Sequence, residues 1–487
     1  MTIRSAFRRK RSNDIKRAEV KPERKEIQER ETTFMSIDRC TKSSFALTSR
    51  FKSHYPQRCG ETLDEALHFT QAYDTWRSLD PGRGSPVFSR LAALPALTKR
   101  ELRVHGPQGF VPHGRDIAEG LAAHEIELVA TSGATGDQVT NVWYQPWWNA
   151  SEAASWQLNA HARAVATGAH REAILTSPWC AGFPCEDGYL TVEQRTLGRF
   201  LYLSERSDPS SWSSDLMDRM VKELNTFKPV VLEANPSFLA RLSRYIVRRR
   251  LRVRSPALIV LTYENPSDLH RRQIHRVFDA PMVSSYGATE AGYVFMECEA
   301  GRLHQVTASC HVDFLPFTPE HGGPGVGRIL VTIFGNPWCS LVRFDVGDVV
   351  RLDGFAPCPC GRHEGLALKS VEGRTVHLTL TPEGRAVTQT TVDHALGSIA
   401  GLAEYQMLQV GPSSYHLRFV AQGTAPRLVA GAACETLQTV YGTAAVIRAE
   451  SVKGIAPDPP GKYCLARMLE PIDPHGLLDE EYAPRIS

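Results

Sequence analysis

The sequence predicts an α/β protein: a large domain built on mainly parallel sheets, followed by a small α+β domain. Three observations predict it. Short apolar runs alternate with helical stretches through the middle of the chain, an interval that suits strands lying parallel with both faces covered. The 487 residues, 42% of them hydrophobic, can bury a large core and exceed what one domain usually holds. After Val371-Glu372-Gly373-Arg374 the pattern shifts to shorter runs around two helices. The expected divisions are therefore residues 1–34, 35–373 and 374–487.

Residues 1–32 hold eleven Lys/Arg against six Asp/Glu and few large apolar side chains. Such a segment cannot bury enough surface to offset the cost of ordering, so a disordered charged arm is expected, with Met35 an alternative start. The net charge of +3 resides in this arm, and the rest of the chain is slightly acidic. That argues against a nucleic-acid partner, which needs a concentrated basic face. The cluster Arg248 to Arg250, with Arg252 and Arg254, reads as a solvated helix end. No apolar run is long enough to span a membrane, and the N-terminus lacks the hydrophobic segment of a secretory signal, so a cytoplasmic protein is expected.

The elements follow in order. Glu61 to Ser78 reads as a helix; Ile126 to Ala130 as a strand; Ser151 to Thr167 as a long helix stopped by Gly168; Ala173 to Thr176 as a strand. Next come a helix from Ser214 to Thr226, the strand Val230 to Leu232, a helix from Ser237 to Arg250, the strand Ala257 to Leu261 and a helix from Asp268 to Phe278. In the small domain, strand-like runs (Val376 to Leu380, Tyr405 to Val410, Tyr415 to Val420, Ala445 to Arg448) accompany helices from Thr391 to Ile399 and Pro426 to Tyr441. Proline suits the first turn of the latter.

Ligands on open α/β sheets sit beyond the carboxyl ends of the strands, and three motifs fall there. Thr131-Ser132-Gly133-Ala134-Thr135-Gly136 follows an apolar strand; its glycines admit a polyphosphate close to the backbone and its hydroxyls and N–H groups supply donors. It is not a Walker A loop, because Asp137-Gln138 stands where Lys-Ser/Thr is required, and a plain glycine/serine turn is the other reading. Ser284-Ser285-Tyr286-Gly287-Ala288-Thr289-Glu290 offers a ring to stack on a base, a glycine, a hydroxyl and a carboxylate for Mg²⁺; a tight turn opening a helix is the alternative. In Arg343-Phe344-Asp345-Val346-Gly347-Asp348, Asp348 can bind the vicinal hydroxyls of a ribose or act as a simple turn residue.

Together these motifs resemble the adenylate-forming superfamily of acyl-CoA synthetases, nonribosomal adenylation domains and luciferases. Cys358-Pro359-Cys360-Gly361-Arg362 is similar to a signature of its phenylacetate-CoA ligase branch. The resemblance implies an adenylate-forming N-terminal domain with a mobile C-terminal lid. It implies nucleotide binding by Thr131, Ser132, Gly133, Thr135, Gly136, Tyr286, Gly287, Thr289, Asp348 and Arg374, and Mg²⁺ at Glu290. Asp458-Pro459-Pro460-Gly461-Lys462 looks like the terminal Gly-Lys motif, making Lys462 the catalytic cation beside Glu290. The chemistry wants a lysine there: a carboxylate attacking the α-phosphate of ATP crowds negative charge, and an ammonium delivered by a closing lid lowers that barrier. Trp179, Phe183, Ser285 and Ala288 would help to wall the acid pocket.

Eleven cysteines in a reduced chain of this length suggest buried thiols or a metal site rather than a disulfide framework. Cys358 and Cys360 with Cys298 and His304 make a Cys₃His set typical of structural Zn²⁺, a role the resemblance also implies; unrelated buried thiols are the other reading.

The sequence departs from the family pattern twice. Asp137 stands where a lysine usually closes the phosphate loop, and Thr375-Val376-His377 replaces the acidic hinge residue after Arg374. The leading expectation is an ATP- and Mg²⁺-dependent ligase that turns a carboxylic acid, of aryl type, into an acyl adenylate and passes it to CoA. An amine or carrier-protein acceptor, and a nucleotide-binding pseudoenzyme, are the competing readings.

Overall fold

The computed structural model describes residues 54–131, 138–165, 170–178, 189–354, 357–458, 461–470 and 474–478. The charged arm expected at 1–34, and Met35, lie outside the described residues.

The large domain is organised on a 12-stranded sheet whose order is β11-β12-β13-β14-β10-β9-β8-β7-β6-β3-β5-β4. Its strands are β3 (Glu172–Leu175), β4 (Thr196–Leu197), β5 (Phe200–Tyr202), β6 (Val231–Ala234), β7 (Leu258–Leu261), β8 (Met282–Ala288), β9 (Gly292–Glu297), β10 (Leu303–Gln305), β11 (Cys310–Pro316), β12 (Val326–Ile333), β13 (Phe344–Leu352) and β14 (Ala367–Arg374). A separate two-stranded ribbon, β1 (Glu127–Ala130) and β2 (Thr140–Trp143), precedes it. Only the run from β5 through β3, β6 and β7 to β8 is parallel. From β8 to β11 every ladder is antiparallel, so the mainly parallel expectation holds for one half of the sheet. The reason lies in the connections: helices link the parallel strands, whereas β8 returns into β9 through three residues.

The parallel half earns its cover from amphipathic helices. In Pro236–Arg249 the buried positions include Phe238, Leu239, Leu242, Tyr245 and Ile246, a spacing that lines one face, and the Asn235 side chain caps the helix start by accepting from Ser237 and Phe238 N–H. This face packs with Ser214–Phe227 on β3, β6 and β7 in one apolar core. The expected long helix from Ser151 to Thr167 is instead two, Gln145–Trp156 and Ala160–Val165. Asn159 breaks it, its side-chain oxygen accepting from His161 and Ala162 N–H and capping the second piece. Likewise the Glu61 to Ser78 run divides into an α-helix, His54–Phe69, and a 3₁₀ segment, Gln71–Ser78.

The small domain carries a ribbon, β15 (Thr379–Leu380) with β16 (Ala386–Val387), and a four-stranded sheet of order β19-β18-β17-β20: β17 (Leu402–Gly411), β18 (Ser414–Ala421), β19 (Val446–Ser451) and β20 (Ala466–Met468). Helices Gln389–Leu396 and Pro426–Tyr441 cover it, the second with the bounds read from sequence. Its core draws in Leu269 of the large domain, so the two domains share apolar contact. Among the described residues, no helix is long and apolar enough to cross a membrane.

Candidate active site

The site grows from the hairpin between β8 and β9. At Gly287 the two limbs close so tightly that a Cβ would lie 2.4 Å from the Gly292 carbonyl oxygen, and Gly292 itself has φ +70°. Only glycine permits both features. The motif therefore ends a strand and turns into another strand, not into a helix. Ser285, Tyr286, Gly287 and Ala288 belong to β8, while Thr289 and Glu290 form the turn.

Tyr286 does not present a free ring edge. Its hydroxyl donates to Asp348 Oδ2 at 2.6 Å, and the other carboxylate oxygen stands 3.7 Å from Arg374 Nε. Asp348 and Arg374 are also paired across β13 and β14. Burial, then the Asp348 charge, pushes the Tyr286 phenol well above its ordinary range, so it keeps its proton and acts as the donor. Asp348 lies within a nine-residue strand rather than at its end. The neighbouring acid of that motif, Asp345, has a structural task, accepting from the buried Arg328 and from Gly347 N–H.

Glu290 is buried and meets a cation that sequence reasoning missed, Lys99, whose Nζ is 3.3 Å from Glu290 Oε1. Lys99 opens the helix Lys99–His105, where Thr98 and Glu101 form a reciprocal cap. Just before it, Leu97 makes a parallel bridge with Phe344, its N–H donating to the Arg343 carbonyl at 2.9 Å and its own carbonyl accepting from Asp345 N–H at 2.8 Å. That stitch delivers the helix start to the site. The only local signal was the Thr-Lys-Arg-Glu capping pattern, which announces a helix and says nothing of its neighbour.

Thr131 closes the neck of the β1–β2 ribbon: its N–H donates to the Val139 carbonyl and its hydroxyl accepts from Val139 N–H at 3.0 Å. Ser132, Gly133, Thr135, Gly136 and Asp137 lie outside the described residues, as do Trp179 and Phe183. Among the described residues, the hydroxyls of Thr176 and Ser177, just past β3, and of Ser285, within β8, are buried without a hydrogen-bond partner. Unsatisfied buried donors leave polar groups for a ligand to meet.

The small domain reaches Ser177. Gly461, at φ +106°, presses its backbone on the large domain so closely that a Cβ would lie 2.8 Å from Ser177 Cβ. Lys462 follows, its N–H bonded to the Asp458 carbonyl and its carbonyl to Asp458 N–H. Lys462, Arg374 and Arg467 surround His377, and burial first, then these cations, brings its imidazole down to about 4. Arg374, between His377 and Asp348, links the Lys462 loop to the Tyr286 group.

The Cys298, His304, Cys358 and Cys360 donor atoms all lie within 4.8 Å of one another. Cys298 Sγ is 3.7 Å from Cys358 Sγ, and Cys360 Sγ is 3.3 Å from His304 Nε2. A tetrahedron with Zn–S bonds of about 2.3 Å has S–S edges of about 3.8 Å, so the set fits a four-coordinate cation. Topologically it ties the β9–β10 hairpin to the β13–β14 connection. It does not border the cleft: Cys298 follows the last residue of β9 and Glu290 precedes its first, which separates them by a strand length of roughly 20 Å.

No family model matches the chain. A region of 177 residues is 25% identical to Protein CapK of Staphylococcus aureus; it is 36% of this chain and spans only 38% of that protein. The solved structure of 2-hydroxyisobutyryl-CoA ligase in the postadenylation state, in complex with 2-HIB-AMP, superposes with a TM-score of 0.64 at 14% identity, covering 91% of each chain. The same ligase in an open conformation with 2-HIB-AMP and CoA superposes at 0.50 with 15% identity, covering 85% of this chain and 90% of that one. These likenesses establish architecture: the chain has the fold of the adenylate-forming ligases.

Proposed function

We propose that this protein is an ATP- and Mg²⁺-dependent ligase that activates a carboxylic acid as its acyl adenylate and then transfers the acyl group, with CoA the default acceptor. The observation that carries the reading is the convergence of Asp348, Arg374 and Glu290 on Tyr286, with Lys99 against Glu290, while the segment that carries Lys462 packs through Gly461 on Ser177. In this reading Asp348 takes the ribose hydroxyls, exchanging the Tyr286 hydroxyl for them, and Glu290 holds Mg²⁺ against the phosphates. Thr131 with Ser132, Gly133, Thr135 and Gly136 cradles the polyphosphate, and the Lys462 ammonium offsets charge at the α-phosphorus as the carboxylate attacks. Glu290 would hold the Mg²⁺ that offsets phosphate charge, and Lys99 beside it would supply the cation that Asp137 cannot.

Ser285 and Ala288 are assigned to the acid pocket, together with Trp179 and Phe183, which lie outside the described residues. An aryl acid is the substrate class this reading favours, on the aromatic and small character of those four residues. Cys298, His304, Cys358 and Cys360 hold a structural Zn²⁺, which supplies a rigid crosslink and takes no part in the chemistry. The test is to incubate the protein with ATP, Mg²⁺ and a panel of aryl, amino-aryl and aliphatic acids, following pyrophosphate and AMP. Acid-dependent pyrophosphate release that Lys462→Ala reduces at least a hundredfold is expected; no release with any acid would defeat the reading.

A further inference from the structure

Between the domains, the segment that carries Lys462 is pinned at both ends by buried carboxylates. At its start, Ile455 N–H donates to Glu404 Oε2 at 3.3 Å; at its end, Tyr463 N–H donates to Glu264 Oε2 at 3.0 Å. Glu264 belongs to the large domain and its other oxygen accepts from Ser237 N–H at 3.0 Å, at the start of the helix Pro236–Arg249. Glu404 belongs to the small domain, on β17, and is gripped by two guanidinium groups of that same helix. Arg241 forks onto both carboxylate oxygens at 2.6 and 2.7 Å, and Arg244 donates to Oε1 as well. Arg244 also donates to the Ala403 carbonyl at 2.5 Å, which Gln273 Nε2 meets at 2.9 Å, and Arg241 to the Pro209 carbonyl at 2.7 Å.

Both Arg241 and Arg244 side chains are about 15% exposed or less, and Glu404 is 13% exposed, so the ions are partners in a largely dry interface rather than a screened surface contact. Elsewhere among the described residues the small domain meets the large one through apolar packing and single polar contacts, such as Asp268 N–H donating to Asp393 Oδ2 at 2.6 Å and the Thr390 hydroxyl donating to Glu372. The Glu404 carboxylate is held by two guanidinium groups, Arg241 Nη2 against both of its oxygens and Arg244 Nη2 against Oε1, and two charged donors on one carboxylate restrict orientation as well as distance.

We infer that Glu404 is a positioning residue: clasped by Arg241 and Arg244, it sets the small domain in the orientation that packs the Lys462 segment through Gly461 on Ser177, and the clasp must open for the acyl-transfer step. The inference rests on the proposed activity for its kinetic consequence, while the clasp itself has a separate readout. The chain superposes with a TM-score of 0.64 on a postadenylation state and 0.50 on the thioesterification state of one ligase.

The experiment compares the full-length protein with Glu404→Gln and Glu404→Asp. Three quantities are measured: single-turnover pyrophosphate release, the rate at which CoA consumes a chemically prepared acyl adenylate, and hydrogen exchange of the peptides spanning residues 455–463. Glu404→Gln should slow pyrophosphate release at least tenfold, leave consumption of the adenylate unchanged or faster, and speed exchange at 455–463 while β17 and β18 stay protected. Glu404→Asp, which keeps the charge, should recover most of the first rate. Equal loss in both half-reactions, unchanged pyrophosphate release, or faster exchange throughout the small domain would overturn the inference. If the unaltered protein releases no pyrophosphate with any acid, the activity assignment fails, and exchange at 455–463 still decides the clasp.

Discussion

At the scale of single residues, the Lys99–Glu290 pair decides most. Glu290 is almost wholly buried, its side chain 4% exposed, and the Lys99 ammonium stands 3.3 Å from it. Lys99→Met should therefore slow pyrophosphate release by about a hundredfold, the usual cost of deleting one preorganised charge at a reacting phosphate. Combining Lys99→Met with Glu290→Gln should cost much less than the two separate losses together, which a double-mutant cycle on the same rate would reveal; additive losses would separate Lys99 from Glu290 function. Tyr286, Asp348 and Glu290 could be singled out as candidates because each stands in a compact sequence motif, and the structure brings them together. Lys99 could not be, since its role depends on the Leu97–Phe344 bridge, a pairing between segments far apart in sequence that no local pattern encodes.

At the scale of elements, periodicity read the helices well where a cap agreed with it. Pro236–Arg249 and Pro426–Tyr441 each open on a proline at the first turn, and both were placed within one residue of their bounds. It failed where a side chain competed for the backbone, as Asn159 does in the middle of an otherwise helical run. The Cys₃His set was legible as a donor list, but not its place, because β9 carries the chain away from Glu290 before Cys298 is reached. Since three thiols and an imidazole there would otherwise be buried groups joining separate hairpins, the bound cation should be a folding element. The protein should purify with one zinc per chain by elemental analysis. Cys358→Ser should lower stability by about 3 kcal/mol or more in urea unfolding while leaving the KM for ATP within a factor of two, as expected for a site a strand length away. Protein purified without metal and indifferent to Cys358→Ser would remove zinc from the assignment.

At the scale of the whole molecule, the way the small domain is seated was not legible in the sequence: it depends on Glu404, Arg241, Gly461 and Ser177, none of which forms a motif with another. The small domain also carries a pH response through His377. Burial, Arg374, Arg467 and Lys462 disfavour its charged form, with Asp458 opposing them, and its imidazole titrates at about 4 instead of near 6.5. Between those two values the unfolded chain binds a proton that the folded chain refuses, so folded stability must fall as pH drops from about 6.5 to about 4. The loss from this one group reaches up to about 3 kcal/mol at the acid end. His377→Gln keeps a neutral polar side chain and should flatten that part of the profile in urea unfolding measured at pH 7, 6, 5 and 4.5, the variant and the parent diverging most at the lowest pH. His377 and the charges that face it, Arg374, Asp458, Lys462 and Arg467, all belong to residues 374–487, so a profile identical in the variant and the parent would mean that His377 is not held among those charges.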